Sequence, residues 1–327
     1  MSQTAAVFPG QGSQREGMGA DFCREHALAR EIYQQASDAI GVDLAAISFA
    51  EDDERLHLTE FTQPAILPNE IALLEVVKAA LGWAPTRFAG HSLGEYTALV
   101  AAGALDFTDA VQLVHRRGAL MQAAVPAGEG AMAAVKIAPP EEGQAQGVTA
   151  AQCMEMALSC DVDIANINSE YQFVISGLAE PVATAGRALE RIAREGEIEV
   201  VPLAVSAPFH SRHMRVIESE FGDYLKQFPL NGRKAAAVLS NYTGDYHPED
   251  AGAVRSSLVA QISGAVRWSD NMRRLIQDAA SNIYEIGPGR PLGGFFHRDG
   301  HTPPPSIVTL RCLRKLKKQL VAGAAQS

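Results

Sequence analysis

Between residues 87 and 102 the chain passes through a short strand candidate, Arg87-Phe88-Ala89, then Gly90-His91-Ser92-Leu93-Gly94, then Glu95 to Ala102, rich in small helix formers. This order of strand, tight glycine turn and helix constrains the fold more than any other feature. It needs an α/β architecture, in which a buried strand delivers a serine to the positive end of the following helix. The turn of a Gly-x-Ser-x-Gly elbow is so sharp that the serine takes a strained conformation, and flanking glycines relieve the crowding. Ser92 is therefore the candidate nucleophile. His91 lies inside the motif, but adjacent side chains diverge on such a turn, so it reads as a packing or supporting group. The base has to come from elsewhere in the chain.

The remaining pattern agrees with an α/β class. Thr4 to Phe8 is an apolar run ending in Pro9-Gly10, as a buried strand entering a loop would. Ala65 to Leu81 has helical spacing and stops at Gly82, with Pro68 in the first turn, where a missing N–H costs little. A further helix is expected over Thr108 to Ala124, capped by Asp106 or Thr108. From Ala131 the texture changes to strand (Ala131–Ile137), helix (Thr149–Ser159), strand (Phe173–Ser176), helix (Val182–Glu195) and strand (Glu197–Val205). That run reads as a compact α+β insert. Beyond Ser206, helices are expected over Met214 to Gln227 and Trp268 to Ala280, and a strand over Asn282 to Ile286. With 327 residues, one large domain carrying a smaller insert is the natural division: residues 1–130 with 206–327, and residues 131–205.

Composition removes several function classes. A net charge of −10 argues against broad nucleic-acid binding, which needs a positive field. No run is long and apolar enough to cross a bilayer, and Met1 to Ala6 lacks the basic start and apolar stretch of a secretion signal, so the expected address is the cytoplasm. Cys23, Cys153, Cys160 and Cys312 form no CxxC pair, and no metal site or cofactor is expected.

Seven blocks occur in order: FPGQGSQ (Phe8–Gln14), TQPA (Thr62–Ala65), GHSLGEY (Gly90–Tyr96), RRGALMQ (Arg116–Gln122), NINS (Asn166–Ser169), SAPFHS (Ser206–Ser211) and EIGPG (Glu285–Gly289). With them the chain resembles the malonyl-CoA:acyl carrier protein transacylases and the acyltransferases of polyketide synthases, from Phe8 to about Arg298. The resemblance implies a large α/β-hydrolase-like domain with a parallel sheet, and an inserted small ferredoxin-like domain. It implies Ser92 as nucleophile and His210 as base, with the backbone carbonyl of Gln261 orienting the imidazole. It places the oxyanion donors on the N–H groups of Gln11 and Leu93, and a carboxylate-binding guanidinium on Arg117. Gln63, Phe209 and Asn168 fall where the acyl group and pantetheine would lie, Phe209 in the version that crowds a branched α-carbon. The implied substrate is malonyl-CoA, and the implied partner is an acyl carrier protein in fatty-acid or polyketide synthesis.

Each implied part has a chemical reason. A serine hydroxyl near neutral pH needs a base within hydrogen-bond reach. A malonyl group ends in a carboxylate, which a guanidinium can hold by two parallel charged hydrogen bonds. Two departures stand out: Glu170-Tyr171 follows Asn168-Ser169 where the family often has Pro-Gly, and SAPFHS mixes fatty-acid and polyketide patterns. Carrier proteins of this family are usually acidic, so docking on a chain of charge −10 needs a local basic patch. Arg187, Arg191 and Arg194 offer one, and the tail with Arg311, Arg314, Lys315, Lys317 and Lys318 another. The competing readings are an acyl hydrolase that clears carrier proteins, an ordinary α/β-hydrolase using His297 or His301, and a non-catalytic carrier-protein-binding subunit.

Overall fold

The computed structural model describes residues 4–140, 147–205, 207–279 and 282–324. Ser206, which opens the SAPFHS block, and Ala280, the expected end of a helix, lie outside the described residues. Two four-stranded sheets organise the described residues. The first contains β1 (Ala5–Phe8), β2 (Arg87–Gly90), β7 (Ile283–Ile286) and β8 (Ser306–Ile307), all parallel, in the order β2-β1-β7-β8. The residues of β1 are all buried, as expected for a central parallel strand covered on both faces, and this explains its unbroken apolar sequence. The outer side of β2 is occupied too, by hydrogen bonds from Phe88 to Ala237 and from Leu239 to Phe88.

Helices α1 (Ala20–Glu25), α2 (Ala27–Ile40), α3 (Leu44–Phe49) and α4 (Thr59–Leu81) follow β1. The elbow after β2 runs into α5 (Gly94–Ala101), then α6 (Phe107–Ala123). Asp106 caps α6 by accepting from the N–H groups of Thr108 and Asp109, as its sequence signals. In α4 the expectation needs correction. The helix begins six residues earlier than the apolar spacing suggested, so Pro64 and Pro68 are interior. Nearly every residue from Thr62 to Val77 is buried, and packing all around the helix outweighs the backbone bonds that the two prolines remove.

The second sheet is antiparallel. It contains β3 (Gly130–Ile137), β4 (Asp163–Ser169), β5 (Gln172–Leu178) and β6 (Ile198–Pro202), in the order β4-β5-β3-β6. On one side lie α7 (Ala150–Leu158) and α8 (Ala179–Ile192), closing a separate apolar core around Val135, Phe173, Ile175 and Leu189. β4 carries no clear strand signal in the sequence, because its Asp-Ile-Ala-Asn-Ile-Asn-Ser alternation is only weakly apolar. Its outer edge pairs with Val266, whose N–H donates to Ala165 and whose carbonyl accepts from Ile167.

The C-terminal part adds α9 (Glu218–Leu225), α10 (Gly232–Ala235), α11 (Ala251–Ser263), α12 (Trp268–Ala279), α13 (Pro291–Arg298) and α14 (Leu310–Ala324). The helix expected over Met214 to Gln227 is instead a 3-10 turn over Arg212–Ile217 followed by α9. No described helix is long and apolar enough to cross a membrane.

Candidate active site

Ser92 stands between β2 and α5 with φ 53°, in the left-handed region that side chains normally avoid. The glycines on either side make the turn possible. A Cβ on Gly90 would collide with the backbone of Gly94, and one on Gly94 with the carbonyl of Phe8 in β1. Asn241 braces the elbow from outside: its Oδ1 accepts from the Ser92 N–H at 2.6 Å, and its Nδ2 donates to the Gly90 carbonyl at 2.7 Å.

His210 reaches the serine from 118 residues downstream, with Nε2 at 2.7 Å from Oγ. Its Nδ1 lies 2.8 Å from the carbonyl oxygen of Gln261, which can only accept. Nδ1 therefore carries the proton, Nε2 is left as acceptor, and the Ser92 hydroxyl donates to it. The Gln261 carbonyl is free for this purpose because it lies in the last turn of α11, where a helix leaves its carbonyls unpaired. Burial, and after it the nearby Arg117 charge, push the His210 imidazole down to about 3 from its ordinary 6.5, against the opposing pull of the Gln261 carbonyl.

Arg117, on α6, is 1% exposed. Its Nη1 donates to Gln63 Oε1 at 2.9 Å, and its Nη2 donates to Gln261 Oε1 at 2.9 Å and to Ser92 Oγ at 3.2 Å. The guanidinium also lies over the Tyr96 ring, 5.5 Å from its centroid. Among the described residues no carboxylate forms an ion pair with it, and its Nε has no hydrogen-bond partner. Burial pulls its pKa below the usual guanidinium value. Its direct hydrogen-bond partners are all neutral and the Glu95 charge acts on it only through space, so this buried cation is costly unless an anion pairs with it directly. Its neighbour Arg116 points outward and pairs with Glu220.

The remaining expected residues fall into two groups. The N–H groups of Gln11 and Leu93 have no acceptor among the described residues, while their neighbours do: Gly12 donates to Gln14, Ser13 to Gly10, Ser92 to Asn241 and Gly94 to His91. Open N–H donors on these two turns are the groups available to an oxyanion beside Ser92. The Gln11 side chain is tied to Thr59 Oγ1. Phe209 is buried beside His210. Asn168 instead accepts from His91, Oδ1 to Nε2 at 2.8 Å, and the His91 ring packs between Trp268 and Phe295. His297 and His301 are exposed and make no hydrogen bond to Ser92.

Sequence reasoning missed Glu95, Asn241 and His247. Glu95 is fully buried; its Oε1 accepts from His247 at 2.8 Å, and its Oε2 from the Asn241 N–H at 2.9 Å and from Gln261 Nε2 at 2.7 Å. Gln261 Nε2 also donates to the Ser92 carbonyl. One carboxylate thus holds both Asn241, which braces Ser92, and Gln261, which carries the imidazole's acceptor. Glu95 lies within GHSLGEY, so the block contained it, but nothing local signals that it is buried.

Comparison with known proteins places the whole chain beside acyl transferases. The model of the acyl transferase domain family matches residues 6–288. The malonyl CoA-acyl carrier protein transacylase of Escherichia coli strain K12 is 40% identical over 299 residues, covering 91% of this chain and 93% of that protein. Among solved structures, FabD from Acinetobacter baumannii superposes with a TM-score of 0.88 at 34% identity, covering 98% of this chain and 99% of that one. A malonyl-transacylase in complex with its type II PKS acyl-carrier protein superposes with a TM-score of 0.85 at 35% identity, covering 95% and 98%.

Proposed function

From the premise that this chain belongs to the acyl transferase domain family, we propose that it moves a malonyl group from malonyl-CoA to the phosphopantetheine thiol of an acyl carrier protein. The observation that carries the reading is the buried, carboxylate-free Arg117, hydrogen-bonded to the same oxygen that His210 activates. An acyl hydrolase for uncharged chains has no use for such a cation. A malonyl carboxylate gives it a direct ionic partner and fixes the thioester carbon beside Ser92.

In the first half-reaction, Ser92 Oγ attacks the thioester carbon while its proton passes to His210 Nε2. The carbonyl π pair moves onto oxygen, where the Gln11 and Leu93 N–H groups receive the charge; losing one such donor costs about 3 kcal/mol of transition-state stabilisation. As the tetrahedral intermediate collapses, the carbon–sulfur bond breaks and the coenzyme A sulfur takes the proton from His210. A malonyl ester remains on Ser92. In the second half, the pantetheine thiol gives its proton to His210, attacks the ester, and returns Ser92 to its starting state. The imidazolium formed in each half faces a neutral carbonyl rather than a carboxylate. That carbonyl belongs to the C-terminal turn of α11, where the helix dipole is negative and favours a cation.

We further propose that residues 1–130 and 206–327 form an α/β-hydrolase-like catalytic domain, and residues 131–205 a ferredoxin-like insert. The parallel sheet bearing the elbow supports the first, and the β-α-β-β-α-β order with an antiparallel sheet supports the second. Phe209 then borders the acyl pocket, and the route needs no cofactor beyond the thioester itself. A pathway in fatty-acid or polyketide synthesis and a cytoplasmic address go with this reading.

Intact-mass measurement after mixing with malonyl-CoA or acetyl-CoA tests it. The parent protein should gain one malonyl group, and Ser92→Ala none. Arg117→Ala should lose malonyl loading by about 100-fold or more while acetyl loading falls far less, since only one acyl group carries the anion. Equal loss of both would remove the carboxylate clamp from the proposal.

A further inference from the structure

His210 has φ 55°, in the left-handed region, so the catalytic geometry depends on what holds its backbone. On the upstream side, the Pro208 ring lies where Gly130 leaves room for it, and the Pro208 carbonyl accepts from Ser211 Oγ at 2.6 Å. On the downstream side the holder is Arg212. Its N–H donates to Asp163 Oδ2 at 2.7 Å; its Nε lies 3.0 Å from both oxygens of that carboxylate, and its Nη2 2.8 Å from Oδ1. Its Nη1 reaches Asp161 Oδ1 at 2.8 Å. Asp163 is the first residue of β4, and Asp161, itself left-handed at φ 60°, lies just before it. Burial raises the Asp163 carboxyl, but the Arg212 hydrogen bonds and charge outweigh this and hold it below the ordinary range.

The far end of this clamp is fixed as well. β4 is bonded along its edge to Val266, and its Asn168 accepts from His91, the residue before the nucleophile. One strand therefore touches the elbow at one end and the base-bearing turn at the other. We propose that Arg212 is a positioning residue, and that its clamp on Asp163 lets the antiparallel sheet set the distance between His210 and Ser92. This inference rests on the reading of His210 as the base. The Arg212 side chain is 43% exposed, so bidentate geometry and a second carboxylate, rather than burial, make the contact effective.

Steady-state transfer of malonyl to a carrier protein tests the clamp in Arg212→Ala, Arg212→Lys and Asp163→Asn, with His210→Ala alongside. Arg212→Ala should lower kcat about 10-fold with KM for malonyl-CoA changed by less than about two-fold, as expected when a catalytic group is displaced but binding is not. Arg212→Lys keeps the N–H bond and the charge but not the fork, and should fall between. Asp163→Asn combined with Arg212→Ala should be no worse than Arg212→Ala alone, because both remove one interaction. Rates are referred to the fraction of serine that loads with malonyl, which counts folded sites. Parent-like kcat per loaded site in Arg212→Ala, or in Asp163→Asn should the first variant fail to fold, overturns the clamp. If His210→Ala still loads and transfers normally, the base assignment falls and the clamp with it; if His210→Ala is inactive while both clamp variants turn over normally, only the clamp falls.

Discussion

At the Ser92 hydroxyl, acceptor and donor requirements are met by different residues. His210 accepts the hydroxyl's hydrogen bond, and Arg117 donates to the oxygen. The same Arg117 charge adds to burial in holding the imidazole at about 3. A substrate carboxylate paired with Arg117 offsets that charge, so the proposed base becomes stronger once malonyl is seated. The depressed pKa also has a consequence for stability. Between 6.5 and about 3 the unfolded chain binds a proton at His210 that the folded chain does not. The contribution is fully present above 6.5 and is lost as pH falls toward 3. The expected outcome is that the thermal midpoint of the parent, relative to His210→Gln, declines as pH is lowered from 7 to 4. A difference that stays flat across that range would show an imidazole that titrates normally.

At the level of elements, the site is made from ends: the C-terminus of β2, the N-terminus of α5 and the last turn of α11. Ends are where backbone groups lack partners, so they can serve chemistry without breaking a ladder. The elbow depends on the close approach of Gly90 to Gly94. Gly90→Ala is expected to destabilise the protein by about 3 kcal/mol, the scale of overpacking in a dense interior, and to abolish malonyl loading. Denaturant unfolding and intact mass measure the two effects. Parent-like loading would mean that the turn can open by more than its packing suggests.

Across the whole molecule, charge is sorted by region. The candidate patch on α8 is mixed, since Arg187 pairs with Glu180 and Glu190 lies between Arg187 and Arg191. α14 carries five basic residues and no acidic one, and among the described residues only Arg314 of the five is paired, with Glu25 of α1. Its start is tied to the loop after β1, where Arg15 donates to the Val308 carbonyl at 3.1 Å, and to the start of α13, where Arg290 reaches Cys312. Of the two, α14 is the stronger electrostatic candidate for an acidic carrier protein. Lys315→Glu with Lys318→Glu should raise KM for the carrier protein about five-fold or more at low salt, leave KM for malonyl-CoA unchanged, and flatten the salt dependence. The Arg187→Glu, Arg191→Glu pair should do less. Salt-dependent kinetics on both variants decide the order.

Local order along the chain was enough to indicate the α/β class, the elbow with its serine, and the α6 cap at Asp106, because each depends on neighbours within a few residues. The ordered blocks pointed to His210, Arg117 and Gln11 without showing that they meet. The start of α4 was misplaced and β4 was missed, since burial on all sides and pairing with Val266 come from distant parts of the chain. The same holds for Glu95, Asn241, His247 and the Arg212 clamp, whose partners are between 49 and 152 residues away. Sequence alone determined which residue types stood available for acyl transfer. Only the tertiary structure decided which were buried, which carbonyl was left free for the imidazole, and which cation lacked a carboxylate, because those are properties of packing and not of order along the chain.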